Sequence, residues 1–175
     1  MPQIAEIKAR TNKIDELRNI LLADNAVLKG IDHQIDTYFK VPEGRLKLRQ
    51  GSVETNLIFY NRPNTTAPKK SSVHLYQPNK SEDLKTILEA VHPVLCVVDK
   101  QREIYFIDNV KFHLDTVKGL GTFVEIEAID NVGDMDYDII LEQCNTFMEK
   151  LNIGQDELIA VSYSDLIMQQ TATHA

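Results

Sequence analysis

Gly121–Asp130, GTFVEIEAID, alternates residue by residue. Read as a strand, Val124, Ile126 and Ala128 share one face, while Phe123, Glu125 and Glu127 share the other, because successive strand side chains point to opposite sides. The same alternation recurs in Ala5–Arg10, AEIKAR, where Glu6, Lys8 and Arg10 oppose Ala5, Ile7 and Ala9. In Gly44–Arg49, GRLKLR, Arg45, Lys47 and Arg49 oppose Leu46 and Leu48. Lys100 and Arg102 share a face with Glu103 opposite, and Asp115 lies on the face of His113 and Lys111. A one-residue slip would turn each stripe to the other side, so the pattern carries orientation.

Outward from these stripes, the periodicity predicts strands at Gln3–Arg10, Ile31–Phe39, Gly44–Gly51, Thr55–Asn61, Val73–Gln77, Val94–Ile107 (one long strand or a hairpin), Val110–Val117 and Gly121–Ile129. Helical spacing of Ile14, Leu17, Leu21 and Leu28 predicts a helix from Thr11 or Asn12 to Leu28, with Gly30 as its stop. Further helices are expected from Ser81 to Pro93, from about Asp136 to Leu151, and after a possible cap at Ser164. About eight strands with interspersed helices make an antiparallel α+β domain over residues 1–175. Asn61–Ser72, NRPNTTAPKKSS, reads as a loop.

The bulk composition narrows the function class. At 175 residues the chain suits one well-buried domain. Its net charge of −7 argues against a general nucleic-acid or anionic-membrane binder, since phosphate backbones demand a basic excess. No apolar run approaches membrane-spanning length and Met1–Arg10 has no apolar signal core, so a cytoplasmic location is expected. Cys96 and Cys144 fall in apolar periodic segments and read as buried thiols.

Two architectures explain the charge stripes. One is an open sheet with its apolar face on helices and its charged face in water. The other curls the sheet around a polar lumen and covers its apolar outside with helices. In the second, basic stripes facing a carboxylate stripe would hold a polyanion and a divalent metal. A triphosphate needs several Lys and Arg groups, and Arg grips phosphate oxygens in bidentate fashion. Mg²⁺ takes hard oxygen ligands, which Glu125 and Glu127 can offer from one strand face and Glu6 from another.

AEIKAR (5–10), GRLKLRQ (44–50), NLIFYNRP (56–63), DKQREIY (99–105), KFHLDTVKGLGTFVEIE (111–127) and SYSDLIM (162–168) resemble, in order and spacing, the CYTH or triphosphate tunnel metalloenzyme superfamily, and most of all its class IV adenylyl cyclase-like branch. The resemblance implies a closed antiparallel eight-stranded barrel forming a tunnel. It implies a triphosphate such as ATP bound by Lys8, Arg45, Lys47, Arg49, Arg62, Lys100 and Arg102, and Mg²⁺ or Mn²⁺ held by Glu6, Glu125 and Glu127. Lys8 and Asp115 are the catalytic candidates it implies, with Asp115 able to orient a basic side chain or a metal-bound water. A homodimer is compatible with such a fold. The expected reaction is cyclisation of ATP to cyclic AMP and pyrophosphate, with hydrolysis of thiamine triphosphate, tripolyphosphate or a nucleoside triphosphate as the alternative. The chain departs from the pattern at Ile4, where the family's signature has its first Glu, and at Tyr60, where many members carry a lysine. Ile4 also leaves open a module that binds a polyphosphate without turnover. His113, for which the pattern offers no partner, reads as structural, Tyr105 and Tyr163 as wall or core residues, and Ser162 and Ser164 as turn and capping residues.

Overall fold

The computed structural model describes residues 3–61, 69–70 and 72–173. Nine strands form one antiparallel sheet: β1 (Gln3–Arg10), β2 (Val27–Phe39), β3 (Arg45–Gln50), β4 (Asn56–Asn61), β5 (Lys69–Lys70), β6 (Ser72–Tyr76), β7 (Val94–Ile107), β8 (Val110–Val117) and β9 (Gly121–Asp130). Their order across the sheet is β5-β1-β9-β8-β7-β2-β3-β4-β6. Four helices accompany it: α1 (Ile14–Ala23), α2 (Ser81–Val91), α3 (Tyr137–Lys150) and α4 (Tyr163–Thr173). No described helix is long and apolar enough to cross a membrane.

The sheet curls into a half-barrel. Its outer face is apolar: Ala5, Ile7, Ala9, Phe112, Leu114, Val124, Ile126 and Ala128 pack against Leu17 and Leu21 of α1 and Ile140, Cys144 and Met148 of α3. Each large side chain buried there stabilises the fold by about 1.5–3 kcal/mol relative to exposure. This is the apolar half of GTFVEIEAID facing outward, as the alternation predicts. Leu88 of α2 covers Phe39 and Leu48. Tyr163, the first residue of α4, packs with Tyr38, Val98, Leu120 and Phe123. The two strands at the borders, β5 and β6, are one residue apart in the chain, and they hydrogen-bond β1 and β4 respectively.

The segment read as a loop, Asn61–Ser72, holds β5 at Lys69–Lys70 and the start of β6 at Ser72, so nine strands stand where eight are expected, and its residues 62–68 and 71 lie outside the described residues. Most other elements follow the periodicity, with one clear difference in α1. The helix stops at Ala23, five residues before Leu28. Asn25 takes a left-handed φ of 60°, and Ala26 donates its N–H back to the carbonyl of Leu21. That is how a helix closes when its last carbonyls find a partner outside the regular ladder. Leu28 and Gly30 therefore belong to β2, paired with Tyr105 and Ile104. Val94–Ile107 is one strand of 14 residues and not a hairpin. Both cysteines are free, with Cys144 buried and Cys96 half-buried.

Candidate functional site

Strand register assembles the site. Lys8 stands across from Glu125 and Glu6 from Glu127 on the β1–β9 ladder. On the other side of β9, Glu125 faces His113 and Glu127 faces Lys111 of β8. Arg102 of β7 faces Asp115 of β8, and Asp36 of β2 faces Arg49 of β3. All these side chains lie on the inner, concave face, because facing residues in a ladder share a side.

They surround a cavity of about 200 Å³. Its lining includes Lys8, Lys47, Arg49, Lys100, Arg102 and Lys111 among the cations and Glu6, Glu54, Glu125 and Glu127 among the carboxylates. Ile4, Ile58, Tyr60, Val73 and Leu75 supply an apolar sector, and Ser162 and Tyr163 also contribute to the wall. Of the residues expected from the sequence, the structure brings Glu6, Lys8, Lys47, Arg49, Lys100, Arg102, Glu125 and Glu127 to this one cavity. Asp115 and Arg45 do not line it, and Arg62 lies outside the described residues.

The charges are organised in two groups. In the first, Asp36 is fully buried and receives Lys47 Nζ and Lys100 Nζ, each at 2.8 Å, and the Arg49 guanidinium through Nε at 2.9 Å and Nη2 at 3.0 Å. Burial alone would raise the Asp36 carboxyl, but the charges of Arg49, Lys100 and Lys47 outweigh it and hold the group well below the usual carboxylate range. Three cations on one carboxylate leave this group with a positive excess. Lys100 is buried among them, so desolvation first, joined by the charges of Arg49, Arg102 and Lys47, outweighs the opposing charge of Asp36 and pulls its ammonium well below the ordinary lysine value.

In the second group, Arg102 binds Asp115 through Nε at 2.7 Å and Nη2 at 2.5 Å, and Glu125 through Nη2 at 2.9 Å. Lys8 Nζ reaches Glu125 Oε1 at 2.9 Å and lies 3.9 Å from the centroid of the Tyr163 ring. Tyr163 donates its hydroxyl to Asp115 at 2.7 Å. Burial works against ionisation of Glu125, but Lys8, Arg102 and the contact from His113 hold its carboxyl well below the usual value. Asp115 is fully buried and, among the described residues, meets the cavity wall through its hydrogen bonds to Arg102 and Tyr163. Arg45 forms an ion pair with Asp165 of α4 at 2.7 Å. Asp165 and Ser162 cap that helix reciprocally, Ser162 N–H to the carboxylate at 3.0 Å and Asp165 N–H to the hydroxyl at 3.2 Å. Ser162, one residue ahead of the helix, is thus the capping residue that the sequence assigned to Ser164.

Several site residues were missed in the sequence. His113, read from the sequence as structural, is buried, lines the cavity, and places Nδ1 2.9 Å from Glu125 Oε2 and 3.7 Å from Glu127 Oε1. Burial first, then the charge of Arg102, lowers its pKa and favours the neutral imidazole. The alternation already put His113 on the face of Asp115, so the signal was present. Glu54 was hidden in a turn. It pairs with Lys111 at 2.7 Å and Arg49 at 3.4 Å, and these charges bring its carboxyl to about 2 against the opposing effect of burial. Asp32 holds that turn by accepting the Val53 and Glu54 N–H groups at 3.0 and 2.9 Å.

His113, Glu125 and Glu127 each present a ligand atom such that all lie within 4.8 Å of one another. With Glu6 nearby on β1, they offer the oxygen-rich donor set a hard divalent cation requires. The other ring nitrogen of His113, Nε2, is buried and has no hydrogen-bond partner among the described residues.

The model of the CYTH domain matches residues 3–163. A curated relative from Methanocaldococcus jannaschii, named "Putative adenylate cyclase", is 36% identical over 70 residues, a match that spans 39% of this chain and 39% of that protein's length. A solved structure from Pyrococcus horikoshii OT3 superposes with a TM-score of 0.79 at 21% identity, covering 93% of this chain and 98% of its own. A Hippeastrum protein described as "Putative adenylyl cyclase" with a dominant triphosphatase activity superposes with a TM-score of 0.62 at 12% identity, covering 98% and 96%. At those identities the two structural likenesses bear on the fold alone.

Proposed function

The chain belongs to the CYTH domain family, and from that premise we propose that it is a metal-dependent enzyme that breaks a phosphorus–oxygen bond of a triphosphate, cyclising ATP to cyclic AMP and pyrophosphate. The observation that carries this reading is the polarised cavity. The cationic group around Asp36 and the carboxylates Glu6, Glu125 and Glu127 line one concavity. A polyphosphate chain answers the first and a divalent cation the second. We further take β5 and β6, the two border strands, which lie one residue apart in the chain, to close the curled sheet into a tunnel.

In this account Lys47, Arg49, Lys100 and Arg102 bind the phosphate oxygens, with Arg62 and Arg45 extending the grip. Asp36 holds three of these cations in place before substrate arrives, so little reorganisation is needed on binding. Asp115 fixes the plane of the Arg102 guanidinium. Lys8, between Glu125 and the Tyr163 ring, stabilises charge that develops on the leaving oxygen. Glu6, Glu125 and Glu127 would hold Mg²⁺ or Mn²⁺, which offsets phosphate charge when bound. In cyclisation the ribose 3′-hydroxyl gives up its proton to solvent and its oxygen bonds the α-phosphorus, while the bond from that phosphorus to the α,β-bridging oxygen breaks and the oxygen leaves with pyrophosphate.

Hydrolysis is the second reading, favoured by the size of the cavity. At about 200 Å³ it is smaller than the roughly 300–1,000 Å³ of sites that enclose organic ligands. It suits a phosphate chain with its organic part outside, and attack of water on a terminal phosphorus asks for no more. Incubation with ATP, thiamine triphosphate and tripolyphosphate, each with Mg²⁺ or Mn²⁺, separates the two. Cyclic AMP with pyrophosphate supports cyclisation, orthophosphate supports hydrolysis, and tight binding without either product leaves a binding module.

A further inference from the structure

His113 is buried on the cavity wall, one nitrogen facing two carboxylates and the other without a partner among the described residues. Nδ1 is the nitrogen turned to the carboxylates, and in the tautomer protonated on Nε2 its lone pair is open to a cation that they hold. Nδ1 stands 2.9 Å from Glu125 Oε2 and 3.7 Å from Glu127 Oε1. Donors on an octahedral cation with bonds of about 2.1 Å lie about 3 Å apart when adjacent and about 4.2 Å apart when opposite. The two distances fall at and between those values, and all three ligand atoms lie within 4.8 Å of one another, so a modest movement of the side chains lets one cation join them.

We propose that the His113 imidazole is itself a metal ligand, completing with Glu125 and Glu127 a mixed nitrogen–oxygen centre that selects a later divalent transition ion such as Co²⁺ over Mg²⁺. This rests on the metal-dependent reading above and deepens it. The chemistry follows from ligand type. Carboxylates serve Mg²⁺ and Mn²⁺ alike, whereas an imidazole adds affinity for later first-row ions and little for Mg²⁺. The position of His113 on β8 is set by pairing with Glu125 across the β8–β9 ladder, so the nitrogen is fixed before a metal arrives.

The test is pulsed electron paramagnetic resonance on the full chain loaded with Mn²⁺, supported by equilibrium titrations with Co²⁺ and Mg²⁺. The wild type is expected to show ¹⁴N coupling of a directly bound imidazole. His113→Gln is expected to lose that coupling and to bind Co²⁺ at least about tenfold more weakly, with a change below about threefold for Mg²⁺. The wild-type spectrum keeps the proposal falsifiable even if the variant folds poorly. Bound Mn²⁺ without ¹⁴N coupling, or coupling that persists in His113→Gln, overturns the assignment of His113 while metal-dependent turnover still stands. Failure of Mn²⁺ and Co²⁺ to bind at millimolar concentration overturns both.

Discussion

Asp36 lies behind the cavity wall and takes both arms of the Arg49 guanidinium, Nε to Oδ1 at 2.9 Å and Nη2 to Oδ2 at 3.0 Å. Lys47 and Lys100 meet the same carboxylate. Removing it would leave three cations facing one another in a buried space. Breaking a buried pair from one side costs about 3–5 kcal/mol, so Asp36→Asn is expected to lose at least about 3 kcal/mol at pH 7 in urea unfolding. A loss below about 1 kcal/mol would show that the cations do not depend on Asp36.

Glu54 gives a pH signature. Its folded-state carboxyl titrates at about 2, below the ordinary 4.5, because Lys111 and Arg49 outweigh its burial. A depressed carboxyl contributes stability above its unfolded pKa and loses it as pH falls through the folded one. Wild type is therefore expected to be more stable than Glu54→Gln above about pH 4.5, by about 1–3 kcal/mol. The gap should narrow between pH 4.5 and 2. Parallel denaturant curves across that range check this; a constant gap would contradict it.

Lys100 predicts proton uptake. Burial and the charges of Arg49, Arg102 and Lys47 lower its ammonium well below the ordinary value. A phosphate chain brought beside it favours the charged form and raises that pKa again. Calorimetric titration with tripolyphosphate in two buffers of different ionisation enthalpy should then show net proton uptake at alkaline pH, diminished in Lys100→Met. Equal heats in both buffers would contradict the account.

The inner charge stripes were legible in the sequence because strand alternation has only two phases, and β1, β3, β7 and β9 display it cleanly. Asp36 was not, because Asp32, Gln34 and Asp36 read as an ordinary polar strand face, and only the ladder with β3 shows that Asp36 faces Arg49. Glu54 escaped because its place depends on Asp32 clamping the turn, a tertiary contact that no local spacing reports. Leu28 extended the predicted helix because its spacing from Leu21 is helical by coincidence, and the left-handed turn at Asn25 breaks the helix first. His113 stood on the right face, but a lone histidine carries no role until Glu125 and Glu127 are seen beside it.

The carboxylates of β9 are the next test. Replacing Glu125 and Glu127 together by Gln removes the negative charge at the acidic end while keeping size. The double variant is expected to lose metal-dependent turnover by at least about 100-fold, the scale of losing one preorganised electrostatic group. Full metal-dependent activity in that variant would sink the metal assignment.

The most direct measurement is ³¹P NMR of ATP incubated with the protein and Mn²⁺, the metal removed from the sample before the spectra are taken, with thiamine triphosphate and tripolyphosphate run alongside. The account predicts loss of the ATP triphosphate signals, dependent on the metal, with cyclic AMP and pyrophosphate appearing in equal amounts. Orthophosphate in their place would move the chemistry to the hydrolytic reading. All three triphosphates remaining intact, with and without metal, would contradict the central claim.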